Sequence, residues 1–150
     1  MVCHALPRNR AKRVAQLLDH GAIFLLIGGT YTPFTLGVLR GAWGWSLFAV
    51  VWGLALVGGL QEIRPRSDAR VLSMVIYLVM GWAVLAALVP LLKALGTAGF
   101  LWVAAGGVLY TVGIAFYALD TRLRHAHGVW HLFVMAGSIA HYFAILYYVL

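Results

Sequence analysis

The fold is decided by long uncharged stretches such as the 22 residues VLSMVIYLVMGWAVLAALVPLL at positions 71–92. A helix needs about 20 apolar residues to cross the hydrocarbon core of a bilayer. In lipid, every backbone polar group must find its hydrogen bond inside its own segment or within the protein. The stretch therefore predicts a transmembrane helix.

Four further uncharged stretches of similar length flank this one. Together the five predict membrane spans at about 20–39, 42–60, 71–92, 97–118 and 127–148. The connections between the spans are short, so consecutive helices are expected to run antiparallel. The sequence therefore predicts an all-α transmembrane helix bundle that forms one domain over residues 1–150.

The composition of the whole chain indicates the same class of protein. Only 11 basic and 4 acidic residues occur among 150, and 63% of the residues are hydrophobic. The mean hydropathy is +0.92. So few charges cannot cover a soluble domain of this length, which excludes a soluble globular enzyme and a disordered chain. The single cysteine, Cys3, excludes an intrachain disulfide and a multi-cysteine metal site.

The net charge of +7 is concentrated in short clusters between the uncharged stretches. This distribution is typical of membrane flanks, so we expect membrane lipids rather than nucleic acid as partners. Nine of the eleven basic residues fall on one side of the predicted topology, and Arg40 and Lys93 fall on the other. The positive-inside rule makes the side with nine cytoplasmic and puts the C-terminus outside a bacterial-type cytoplasmic membrane.

Four polar residues share the predicted cytoplasmic boundary, namely His4, Asp19, His127 and His131. The last two are four residues apart and therefore lie on one helix face. Imidazole and carboxylate groups are ligands of zinc, and catalytic sites combine three protein ligands with an open position. A second interpretation is that these side chains only cap helix ends at the membrane interface. The spacing of the residues alone favours this second interpretation.

Two more histidines need an explanation. His20 adjoins Asp19 on another helix face, and it is either a partner of the metal-binding residues or an ordinary interfacial residue. His141 follows His131 by ten residues, which is about 15 Å along a helix. It cannot share the same metal, so we expect it to make a buried polar contact within the bundle.

Two long motifs carry a family resemblance. They are LDHGAIFLLIGGTYTPF at 18–34 and HGVWHLFV at 127–134, and the shorter YTVG at 110–113 and GW at 81–82 agree with them. They resemble the characteristic segments of the hemolysin III family, the bacterial branch of the progestin and adipoQ receptor superfamily. The similarity extends over all 150 residues.

The resemblance implies a seven-helix membrane fold with a zinc site near the cytoplasmic face. It implies that His4, His127 and His131 bind zinc, and that Asp19 engages the metal-bound water as the catalytic residue of the metal site. The five predicted spans then correspond to helices three to seven. The serine of the family's Ser-x-x-x-His motif falls one position before Met1, so we expect that the start has been placed too late, with a truncated form as the alternative.

The function implied by the resemblance is a zinc-dependent membrane hydrolase acting on a lipid amide or ester, or a role in membrane lipid homeostasis. Whether the protein is an enzyme stays open at this point. The family name supports the alternative of a pore-forming, cytolytic protein, although the sequence contains no amphipathic strand or detachable helix for insertion into a foreign membrane. A third interpretation is a non-catalytic, receptor-like bundle that zinc stabilises.

Overall fold

The computed structural model describes residues 10–63 and 69–150, with side chains from Val14 to Ile63 and from Val71 onward. This part of the chain consists of helices joined by short turns and contains no strand, which confirms the expected all-α class. A π-helical stretch, Phe34–Val38, extends the first helix, and a 3₁₀ stretch, Ala83–Ala87, joins the third to the fourth. The described α-helices are α1 (Arg10–Pro33), α2 (Ala42–Ile63), α3 (Ala69–Trp82), α4 (Leu88–Leu119) and α5 (Ala126–Tyr148).

Within these described ranges, four helical segments are long and apolar enough to cross a membrane. They are Val14–Val38, Ala42–Ile63, Val71–Leu119 and Ala126–Tyr148. The expectation of five separate spans is therefore not confirmed, because the predicted spans at 71–92 and 97–118 belong to one segment of 49 residues.

That 49-residue segment is not straight. As one continuous helix it would be about 74 Å long, more than twice the thickness of a bilayer core. Gly96 interrupts it with φ 67° and ψ 176°, a backbone conformation outside the helical region. The Trp82 indole N–H then donates to Thr111 Oγ1 at 3.0 Å, although 29 residues separate the two. The segment therefore reverses at Gly96 and forms two antiparallel legs.

Small residues let α4 and α5 approach closely. A Cβ on Gly106 would collide with the imidazole of His141, and a Cβ on Gly137 would lie 2.8 Å from the ring of Tyr110. Close backbone approach at glycines is the usual way in which helices pack inside a membrane. It fixes the position of α5, which carries two of the three predicted histidine ligands, His127 and His131.

The outer surface of the bundle is apolar. Large aliphatic side chains such as Leu56, Val89, Leu101 and Leu132 are each more than half exposed. An exposed apolar surface of this extent is rare on soluble monomers and suits contact with lipid tails. The polar and titratable side chains discussed below lie instead between the helices.

Candidate metal site

Asp19 of α1 meets His127 and His131 of α5 at one end of the bundle. His131 Nε2 lies 3.2 Å from His127 Nε2. Asp19 Oδ2 is 3.6 Å from His127 Nε2, and Asp19 Oδ1 is 3.6 Å from His131 Nε2. The three ligand atoms form a group that can hold a metal ion. We call these three residues the His/Asp cluster.

The cluster follows from local structure and packing. His127 and His131 are one helical turn apart at the start of α5, so their rings project from the same face. Trp130 is buried and packs against both rings, with centroid distances of 4.9 Å to His127 and 4.5 Å to His131. The three cluster side chains are 22–35% exposed, which leaves them within reach of water.

Asp120 determines the proton arrangement on His127. The His127 Nδ1–H donates to Asp120 Oδ2 at 3.0 Å, because an ionised carboxylate only accepts. In the neutral imidazole the lone pair then sits on Nε2, which points into the cluster. Histidines that bind metals commonly donate their other ring N–H to a carboxylate in this way.

The spacing of the donor atoms fits a zinc ion. Nitrogen ligands lie about 2.0–2.1 Å from zinc, so two of them in a tetrahedral site are about 3.3 Å apart, and an oxygen ligand lies at a similar distance from each. The two cluster nitrogens are 3.2 Å apart, which matches the nitrogen spacing, and each lies 3.6 Å from a different oxygen of the Asp19 carboxylate. Two imidazoles and a carboxylate are also the types of ligand that zinc takes in catalytic sites.

The structure brings together three of the four residues named from the sequence. His4 lies outside the described residues. His141 is not part of the cluster and makes the buried polar contact that was expected. It is 8% exposed, and its Nε2 lies 3.1 Å from the carbonyl oxygen of Val103. His20 turns away from the cluster toward Glu62 and forms a pair at 3.1 Å.

Asp120 was not named from the sequence as a site residue. Its contact with His127 depends on how the turn between α4 and α5 folds, which the sequence pattern does not indicate. One signal was available: only four acidic residues occur in the chain. Asp19, Glu62 and Asp120, the three with described side chains, all pair with histidines.

Comparison with known proteins matches the chain to one family and to several of its members. The model of the family described as "Haemolysin-III related" matches residues 1–142. A "Hemolysin-3 homolog" of Bacillus subtilis (strain 168) is 42% identical over 145 residues, which are 97% of this chain and 68% of that protein. "Hemolysin-3" of Bacillus cereus is 42% identical over 147 residues, 98% of this chain and 67% of that protein.

A more distant relative comes from animals. The human "Monocyte to macrophage differentiation factor" is 30% identical over 133 residues, which are 86% of this chain and 53% of that protein. No solved structure matches the chain.

Proposed function

Because the chain belongs to the haemolysin-III related family, we propose that it binds zinc at the His/Asp cluster and uses it to hydrolyse a lipid amide or ester. The observation that carries this proposal is the convergence of two imidazole Nε2 atoms and one carboxylate. These groups come from the first and last described helices, so the fold, and not sequence proximity alone, assembles them. His4 is proposed as the third histidine ligand.

The proposed topology has five spans, with the two legs on either side of Gly96 each crossing the membrane. The cluster then lies at the cytoplasmic end, since nine of eleven basic residues are on that side. The C-terminus lies outside a bacterial-type cytoplasmic membrane. The fold-back at Gly96 supports this proposal, because a straight helix of that length would extend far beyond the bilayer.

Zinc bound here would supply a Lewis acid and a water activated as a nucleophile near neutral pH. His127 and His131 would hold the zinc through Nε2, and Asp120 keeps the proton of His127 on Nδ1. The carboxylate of Asp19 orients the attacking water and accepts its proton. That proton then passes to the amine or alkoxide that leaves the substrate.

Two small cavities adjoin each other between the helices, next to the cluster. A cavity of about 30 Å³ lies next to the cluster, lined by Ile23, Ile114 and Trp130. A second cavity of about 40 Å³ extends deeper into the bundle and shares Ile27 and Tyr110 with the first. Their walls are mainly apolar, and at this size each cavity has room for only a few atoms.

The first test is the metal content of the full chain purified in detergent. We expect about one zinc per chain in the unsubstituted protein. His127→Ala and His131→Ala should each lose most of it. The control His125→Ala changes an exposed histidine at the same end of the bundle, so it should keep the metal. Zinc content unaffected by both cluster substitutions would rule out the site.

The second test measures turnover, with a long-chain N-acylethanolamine as the amide probe and a phospholipid as the ester probe. Release of free fatty acid that depends on Asp19 supports the hydrolase. Zinc binding without turnover of either probe supports the non-catalytic, zinc-stabilised bundle with a role in lipid homeostasis.

The names of the Bacillus relatives favour one second candidate, a cytolytic or pore-forming protein. Red-cell lysis by the purified protein measures this activity directly. Lysis that persists in His127→Ala and His131→Ala supports the pore and contradicts a mechanism based on the His/Asp cluster.

A further inference from the structure

A second polar group lies beside the His/Asp cluster and joins α1 to three other helices. Its centre is His20, whose Nδ1 lies 3.1 Å from Glu62 Oε2 at the end of α2. His20 Nε2 lies 3.2 Å from the hydroxyl of Tyr117 in α4. Tyr77 of α3 donates its hydroxyl to the His20 backbone carbonyl at 3.1 Å. We call His20, Glu62, Ser73, Tyr77 and Tyr117 the His20 network.

The network satisfies a carboxylate that is largely removed from solvent. The Glu62 side chain is 11% exposed and that of His20 is 17% exposed. Glu62 Oε1 accepts a hydrogen bond from Ser73, which is fully buried. Ionisable groups between membrane helices are costly unless they are paired, and an apolar pair would pack at lower cost. The network therefore contributes something other than simple packing energy.

The network fixes the rotation of α1 about its own axis. Consecutive residues of an α-helix point about 100° apart, so His20 and Asp19 face different neighbours. When Glu62 and Tyr117 hold His20 toward α2 and α4, the carboxylate of Asp19 is directed toward α5. A rotation of α1 would move Asp19 away from both histidine nitrogens.

Tyr117 also contacts the other side of the cluster. Its ring packs against Trp130 with a centroid distance of 4.5 Å and lies 6.3 Å from the ring of His127. The side chain is 2% exposed. One buried tyrosine therefore bonds the residue next to Asp19 and supports the helix that carries His127 and His131.

We propose that Glu62 and Tyr117 are positioning residues for the metal site: through His20 they hold the Asp19 carboxylate in place facing His127 and His131. This inference rests on the proposed zinc site. It assigns to these residues no contact with the metal or substrate. It predicts that zinc affinity depends on the hydrogen bonds of His20 with Glu62 and Tyr117, although none of these three residues belongs to the His/Asp cluster.

The test compares two conservative substitutions in α4 of the full chain in detergent. Tyr117→Phe removes the hydroxyl bonded to His20 but keeps the ring against Trp130. Tyr110→Phe is the matched control, because it removes a tyrosine hydroxyl bonded to Ser138 at 2.9 Å, deeper in the same helix. Zinc affinity is measured by competition with a chelating dye, and the visible spectrum of bound cobalt(II) reports the ligand geometry.

We expect Tyr117→Phe to weaken zinc binding about 10- to 100-fold and to change the cobalt spectrum, while Tyr110→Phe leaves both unchanged. Glu62→Ala should weaken binding in the same way. Glu62→Gln should restore much of it, because an amide can accept from His20 and still bond Ser73. A merely structural role would lower thermal stability in all variants without this selective pattern.

Wild-type affinity and spectrum in both Tyr117→Phe and Glu62→Ala would overturn this inference alone, and so would equal losses in Tyr110→Phe and Tyr117→Phe. If the unsubstituted protein binds no zinc, the proposed function fails together with it.

Discussion

Asp120 decides which nitrogen of His127 faces the His/Asp cluster. Without this acceptor, the ring can place its proton on either nitrogen and can rotate out of line. We therefore expect Asp120→Ala to lower zinc affinity about 10- to 100-fold. The measurement is the same dye competition used for the unsubstituted protein.

The control for this substitution is Thr121→Ala, which changes an exposed neighbour in the same turn. It should bind zinc like the unsubstituted protein. The assignment of Asp120 is contradicted if Asp120→Ala and Thr121→Ala bind zinc equally well.

The residues of the candidate site were only partly predictable from the sequence. Counting basic residues put Asp19, His127 and His131 at one membrane boundary, and the spacing of four put both rings on one face. The pairs Asp120–His127 and Glu62–His20 depend on how a turn folds and on how separate helices are rotated, which periodicity does not encode. His4 stays a prediction.

At the scale of single elements, the turn at Gly96 makes the long apolar segment compatible with a membrane. Its φ of 67° and ψ of 176° lie in a region that is essentially restricted to glycine. A Cβ there would meet no neighbour within 4 Å, so substitution tests the backbone alone. Gly96→Ala should cost about 1–3 kcal/mol.

Thermal unfolding in detergent measures this cost. Gly53→Ala serves as the control, since Gly53 lies within α2 and also has open space for a Cβ. It should leave the melting temperature unchanged or raise it slightly, because alanine favours helix. A Gly96→Ala protein as stable as Gly53→Ala is incompatible with a strained turn at this position.

The interface of α4 and α5 provides a second comparison between glycines. Gly106 faces the imidazole of His141, whereas a Cβ on its neighbour Gly107 meets no atom within 4 Å. His141 cannot move aside without disturbing its contact with the carbonyl of Val103. Gly106→Ala should therefore destabilise the bundle by about 1–3 kcal/mol.

Gly107→Ala, measured in the same unfolding assay, should be close to neutral. Equal melting temperatures for the two variants would show that α4 and α5 do not pack as described.

The all-α class was predicted correctly, because uncharged stretches of 20 residues leave few alternatives in lipid, whereas the number of five spans is not confirmed. The sequence located the break between the spans at 71–92 and 97–118, and the structure makes the reversal at Gly96. The irregular stretches were not predicted. The 3₁₀ stretch is held partly by Tyr31, whose hydroxyl accepts a hydrogen bond from the backbone N–H of Val84 at 3.1 Å, a contact between residues 53 positions apart.

At the scale of the whole molecule, the proposed topology is open to a direct test. Cys3 is the only cysteine, so single-cysteine variants can be built in a Cys3→Ser background. In intact cells, a membrane-impermeant maleimide should label Thr97→Cys, next to the turn at Gly96, and Leu150→Cys at the C-terminus. It should label Thr121→Cys only after the membrane is permeabilised.

The two positions expected outside the membrane, 97 and 150, test different parts of the topology. Labelling of Leu150→Cys without Thr97→Cys would mean that the segment around Gly96 does not reach the outer surface. Labelling of Thr121→Cys alone in intact cells would invert the orientation derived from the basic residues.

The His/Asp cluster joins α1 to α5, and this arrangement has a consequence for biosynthesis. A ribosome completes α2, α3 and α4 before it has made either histidine of the cluster. A nascent chain interrupted before Ala126 therefore carries Asp19 without His127 and His131. In the proposed metal site, the complete set of ligands therefore exists only after α5 has inserted beside α1.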